Sequence, residues 1–145
     1  MTIDTTFLER CINTLEIAYS KWIKIKDESE NESIYFDLYR SACVKEFELI
    51  LEQSGKLLRK TMKQYFASSK EADKLNFKDV FRNAVLRSLL DAETCQRWLE
   101  YRDNRNSTAQ DYGESFANET LVLLPQFIID AKNMVDVIKS NSNQD

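Results

Sequence analysis

The chain reads as an all-α protein, an antiparallel up-down four-helix-type bundle with one additional short helix. Three observations predict this. Only two Gly and one Pro occur in 145 residues, too few for the turns that successive hairpins need. Three long segments carry apolar residues at spacings of three and four, the period of one helix face. The stretches between them are short and polar.

The first helix is expected from about Thr5 to Lys26, with Leu8, Cys11, Leu15, Ala18, Trp22 and Ile25 as its stripe. Asp4 or Thr5 can cap its start. Residues 27–32 are acidic and polar, a loop, and Ser33 can cap the second helix. That helix carries Phe36, Tyr39, Cys43, Phe47, Ile50, Ser54, Leu57 or Leu58, Met62 and Tyr65 on one side and can reach Ala67. Gly55 costs about 1 kcal/mol relative to Ala in a helix interior, so a bend or break is expected there. Residues 68–74 read as a polar linker, and Asn76 can cap a short third helix ending near Leu90. A fourth starts at about Ala92, with Gly113 as a C-terminal stop. The fifth places Phe116, Thr120, Leu123, Phe127, Ala131, Met134 and Ile138 on one face. Pro125 removes one of its hydrogen bonds and is expected to kink it. Residues beyond Ser140 read as a disordered tail.

Length and composition (43% hydrophobic, 30% charged) fit one domain over residues 1–145 that buries a real core. No basic region followed by an apolar run opens the chain, and no apolar stretch approaches bilayer length. A cytoplasmic, membrane-free protein is the expectation. Cys11, Cys43 and Cys95 are distant, odd in number and without histidine company, which excludes the common zinc spacings and argues against a disulfide framework. No metal or cofactor is expected. Each cysteine lies on or beside an apolar stripe, where it acts as a small hydrophobe. The net charge of −4 gives no general attraction to nucleic acid. Lys56, Arg59, Lys60 and Lys63 nevertheless share one helical face in a stretch from Ser54 to Lys70 without an acidic residue. Such a face is either solvated and favoured by a helix C-terminus or a phosphate contact.

The most informative stretch is Arg105-Asn106-Ser107-Thr108-Ala109-Gln110-Asp111-Tyr112. On a continuing helix Arg105 and Tyr112 lie about 20° apart, on the side of Trp98, Tyr101 and Ala109. An arginine in an apolar stripe needs an anionic or carbonyl partner. It either pairs with a structural carboxylate such as Glu48 or Glu52, snorkels to water, or lines a site.

This stretch resembles the signature of the HEPN superfamily, an Arg and a polar residue followed by a His. Spacing and the Tyr match the toxins paired with minimal nucleotidyltransferases, and the likeness to the nucleotidyltransferase substrate-binding branch runs from about Tyr39 to Gly113. It includes the aromatic-Glu pair Phe47-Glu48, the run from Phe77 to Ala84 and the Trp98 approach to Arg105-Asn106. Two positions depart. Gln110 stands where the family has its His, and the chain contains no histidine at all. Ser88-Leu89 stands where relatives commonly have a Gly before an apolar pair.

The resemblance implies a homodimer whose cleft brings together Arg and His of two subunits, in a metal-independent endoribonuclease. The His moves protons and the Arg steadies the phosphate. Arg105, Asn106 and Gln110 then occupy the catalytic positions. A carboxamide cannot gain and lose a proton near neutral pH, though it can hold RNA or a nucleotide by hydrogen bonds. Tyr112, with an ordinary pKa of about 10, is a poor replacement base. In the partnered toxins its counterpart accepts a nucleotide from the nucleotidyltransferase; a packed Tyr closing the bundle is the other reading. Arg102, Asp111 and the Lys56–Lys63 basic face are the candidate RNA- or partner-contacting residues. The expected function is the HEPN-type partner of a minimal nucleotidyltransferase, toxin–antitoxin-like and without ribonuclease activity. The alternatives are an active endoribonuclease toxin neutralised at Tyr112, and a non-catalytic RNA- or nucleotide-binding module.

Overall fold

The computed structural model describes residues 2–27, 34–107 and 114–142, and, of residues 106 and 107, the backbone alone. Within these the chain is all helical: α1 Thr6–Lys26, α2 Ile34–Met62, α3 Ser69–Asp73, α4 Phe77–Leu86, α5 Ala92–Ser107 and α6 Glu114–Ser142, with a 3-10 turn at Lys63–Tyr65. Helix α2 packs on α1, α4 and α6, α1 also meets α6, and α5 lies against α4 and α6. Lys132 bonds Glu16 and Lys139 bonds Glu9, so α1 and α6 run antiparallel. Helices α2 and α6 run parallel: Arg40 reaches Asn118 at one end and Gln64 donates to the Asn141 carbonyl at the other.

The apolar stripes meet as their spacing predicts. Leu8, Leu15, Phe47, Ile50, Leu58, Met62, Phe127 and Met134 are fully buried, while on α6 it is Leu124 that is fully buried and the predicted Leu123 only half-buried. Between α2, α4, α5 and α6 the rings of Phe47, Phe81, Trp98, Tyr101 and Phe127 touch edge-on or tilted, with centroids 4.6 to 6.5 Å apart. Such ring pairs add about 1 kcal/mol each beyond their area.

Four local expectations change. Helix α2 passes Gly55 without interruption, because that glycine is there for closeness rather than for a bend. A Cβ at Gly55 would stand 2.8 and 2.9 Å from ring carbons of Phe77. The stretch predicted as a linker holds α3: Ser68 accepts from the Glu71 amide at 3.4 Å while the Glu71 carboxylate accepts from the Ala67 amide at 3.3 Å. This reciprocal capping, with Ala72 buried, is the Ser-x-x-Glu start signal in the sequence. Helix α4, capped by Asn76 as predicted, stops at Leu86 rather than near Leu90. The cause is Ser88, which takes φ 63° and lets the amides of Arg87, Ser88 and Leu89 close on the last turn, a left-handed helix stop. Finally, α6 extends to Ser142, past the Ser140 limit expected for it; residues 143–145 lie outside the described residues.

At the start of α1 the Asp4 carboxylate accepts from the Thr6 amide at 2.9 Å, and the Thr5 hydroxyl donates to Glu9 at 2.8 Å. Asp91 does the same service for α5, accepting from the Thr94 amide at 2.7 Å, and this bond holds its carboxyl below the ordinary carboxylate value.

Candidate functional site

Helix α5 carries the Arg-Asn signature at its C-terminal end, and Trp98 and Tyr101 on its inner side are buried in the aromatic cluster. Their burial fixes the rotation of α5 and so the direction of Arg105 one turn further on. The Arg105 guanidinium reaches across to α2, where its Nε meets a Glu48 carboxylate oxygen at 2.9 Å. Both side chains are about one-third exposed (30% and 28%), so the pair is accessible from solvent. Of the anchors open to Arg105 in the sequence, the structure selects Glu48, the acid of the aromatic-Glu pair.

A cavity of about 470 Å³ opens beside this pair, between α2 and the first turn of α6. Its walls hold the carboxylates Glu48, Glu52 and Glu114 and the cations Arg40 and Lys45, over apolar Val44, Leu49 and Phe116. Arg40 is largely buried and already engaged: Asp37 at 3.1 Å, Glu114 at 3.7 Å, the Asn118 side-chain oxygen at 3.4 Å, with the Phe36 ring 5.2 Å below. Sequence reasoning missed Arg40 and this groove, since only tertiary packing brings the start of α2 against the start of α6.

Gln110, Asp111 and Tyr112 lie outside the described residues, as does the Asn106 side chain. The described residues on either side of that stretch do reach this region: Arg105 holds Glu48, and Glu114 lines the cavity. Arg102 points elsewhere, its guanidinium 5.0 Å from the Phe77 ring.

The basic face is partly spoken for. Arg59 donates to the Leu75 carbonyl at 2.6 Å, and Lys63 pairs with Asp73 at 3.4 Å. Both tie the end of α2 to the α3–α4 segment. Lys56 and Lys60 remain exposed. The α2 and α6 C-termini both lie at this end, where cations offset the negative helix ends.

A second polar cluster went unremarked in the sequence. Asp130 of α6 is 2% exposed and accepts from Arg97 Nε and Nη2, each at 2.9 Å, from the Tyr101 hydroxyl at 2.5 Å and from Gln126 at 3.2 Å. Thr94 accepts a further Arg97 bond at 3.3 Å. The signal was an acid between Phe127 and Ala131 on a core stripe. Burial, and then its bond to Asp130, push the Tyr101 hydroxyl far above its ordinary value. It is therefore locked as a donor and offers no base. The three thiols are equally inert. Burial raises Cys11 to about 11, Cys43 to about 12, and Cys95 as well. Among the described residues no group of three or more Cys, Asp or Glu side chains is placed to hold a metal ion.

The family model described as nucleotidyltransferase substrate binding protein like matches residues 8–140. A curated relative from Haemophilus influenzae, named probable ribonuclease HepT, is 22% identical over 143 residues, 99% of this chain and 93% of the relative. The solved structure of HI0074 from the same species, whose fold is described as a substrate binding domain of a nucleotidyltransferase, superposes with a TM-score of 0.76. It is 22% identical, and the match covers 93% of this chain and 98% of that one.

Proposed function

Since this chain belongs to the nucleotidyltransferase substrate binding protein like family, we propose that it is the HEPN-type partner of a minimal nucleotidyltransferase and does not itself cut RNA. One observation carries the second half: Gln110 stands at the position of the signature's proton-transferring His, in a chain without histidine. Cleavage through a 2′-hydroxyl needs a group that takes and returns a proton near pH 7. The nearby phenol of Tyr101 and the buried thiols are pushed away from that range. The Arg105–Glu48 pair supports the same reading, because a carboxylate 2.9 Å from the guanidinium Nε repels a phosphate approaching that edge.

The proposal extends to a toxin–antitoxin-like pair, with this chain a homodimer around the C-terminal end of α5. Tyr112 is then the acceptor of a nucleotide delivered by the partner. The test is a paired assay of the chain and its Gln110→His variant on total RNA. The chain is expected to leave RNA intact and the variant to cut it. Cleavage by the unaltered chain that disappears in Arg105→Ala would refute the reading. It would support instead an active endoribonuclease, the reading favoured by the name of the Haemophilus relative. Incubation with the nucleotidyltransferase and ATP, followed by mass mapping, is expected to place the added nucleotide on Tyr112.

A further inference from the structure

Charge is spread unevenly along this chain. Residues 53–90 hold nine Lys and Arg against three Asp and Glu, a surplus of six. The whole chain carries −4, so the remaining residues carry −10. The surplus falls at one end of the bundle, on the last turns of α2, on α3 and on α4. Two contacts gather it there: Arg59 donates to the Leu75 carbonyl at 2.6 Å, and Lys63 meets Asp73 at 3.4 Å.

The acids of this stretch are engaged. Asp73 is held by Lys63, Asp79 lies 3.9 Å from Arg82, and Glu71 accepts from the Ala67 amide. The cations outnumber them. Lys56, Lys60, Lys70 and Lys74 are exposed, and among the described residues no carboxylate pairs with any of the four. Glu52, one turn before Lys56, marks where this face ends. Helix C-termini draw cations, but Lys56 stands more than a turn inside α2, so the helix ends alone do not explain the run.

The surface beside these lysines is concave. A cavity of about 750 Å³ opens where Lys60, Lys63 and Gln64 face Ser69 and Asn141. The carboxylate on its wall, Asp4, is turned to the Thr6 amide at 2.9 Å. Between residues 39 and 85 no large apolar side chain is exposed. A protein partner seeks apolar and aromatic anchors, and its interface is poor in lysine. A bilayer is flat and takes up apolar side chains. A flexible string of phosphates needs neither; it asks for clustered cations around a groove.

We propose that this end of the bundle binds the phosphate backbone of a single nucleic-acid strand through Lys56, Lys60, Lys70 and Lys74. Lys60 lies about 18 Å along α2 from Glu48, so the site is separate from the Arg105 signature and holds a strand without cutting it. It goes beyond the reading of the chain as a nucleotidyltransferase partner and stands independently of it.

The test titrates the full chain into labelled oligouridylate RNA and oligothymidylate DNA of equal length, read by fluorescence anisotropy. Affinity is expected to fall about fifty-fold between 50 and 200 mM salt, the loss for four phosphate contacts on a single strand. Lys60→Glu combined with Lys74→Glu is expected to weaken binding tenfold or more, and a melting curve checks that these exposed changes leave the fold intact. Lys21→Glu combined with Lys24→Glu alters net charge equally at exposed positions of α1, at the opposite end of the bundle. That pair is expected to change affinity less than threefold. Similar affinity for the two strands, or a preference for RNA, both support the site; the first assigns it to any phosphate backbone and the second to RNA. Equal losses from the two lysine pairs overturn the proposal, because the pull is then net charge and not this face. Loss of binding in Arg105→Ala overturns it too, since the strand then sits at the signature. Capture by phosphatidylserine vesicles where neither strand binds at 50 mM salt makes the face a membrane contact and overturns it as well.

Discussion

Single residues in this chain act through closeness and burial more than through propensity. Gly55 is the clearest case. In an open helix, Gly→Ala gains about 1 kcal/mol. Here the new methyl meets Phe77, and that ring cannot swing aside freely, being stacked on Phe81 at 4.5 Å with Arg102 on it. Gly55→Ala is therefore expected to destabilise, by about 1–3 kcal/mol as overpacking does, read from the urea midpoint. Ser88 has the opposite sign. Its φ of 63° costs an L-residue about 1–2 kcal/mol, of which the added freedom of an unfolded glycine returns about half. Ser88→Gly should stabilise by about 0.5–1 kcal/mol, and a lower urea midpoint would contradict it. The thiols give the pH dependence. Folding holds Cys11 at about 11 and Cys43 at about 12, above the ordinary thiol value of about 8.5. Below that value both states keep their protons. Above it the unfolded chain has lost protons that the native chain retains, so stability falls as pH rises from about 9 to 12. Urea titrations at pH 7.5, 9 and 10 check this.

At the scale of elements, α5 and α6 are joined by a polar weld as well as by rings. Removing one member of a buried ion pair leaves the other uncompensated, at a cost of about 3–5 kcal/mol. Arg97 keeps 29% of its side chain exposed and can rehydrate, which places Asp130→Ala near the lower end. Tyr101→Phe removes one hydrogen bond to the carboxylate and should cost about 1–2 kcal/mol. Equal losses from the two variants would mean that Arg97 contributes nothing to the junction. Helix boundaries follow the same division. The stripes, the Asn76 cap and the Ala92 start were legible because they are local. The α4 stop was not, since it depends on a backbone angle that serine rarely adopts. The α3 turn was legible only to a reader who weighed Ser68 with Glu71.

The whole molecule shows which parts of a site a single chain can reveal. Arg105-Asn106 and the absence of histidine were plain in the sequence, and Glu48 or Glu52 was one of the anchors for the arginine that it left open. The groove was not plain there, because its walls come from positions more than sixty residues apart, Arg40 to Glu52 and Glu114 to Ala117. The family match, over residues 8–140, and the shared fold extend the resemblance from the motif to nearly the full chain. Pro125 divides this fold unevenly in time. It has no amide proton, so the Leu121 carbonyl loses its helical donor and one rung of α6 is absent. On the far side Asp130 is clamped by Arg97 and Tyr101, and Lys132 and Lys139 are tied to α1. The nearer half ends in the groove, where Glu114 is 79% exposed. Amide hydrogen exchange should therefore run through α6 in two steps, with residues 115–124 opening to deuterium well before residues 127–139. That order would leave the wall of the groove free to adjust while the bundle beneath it stays closed.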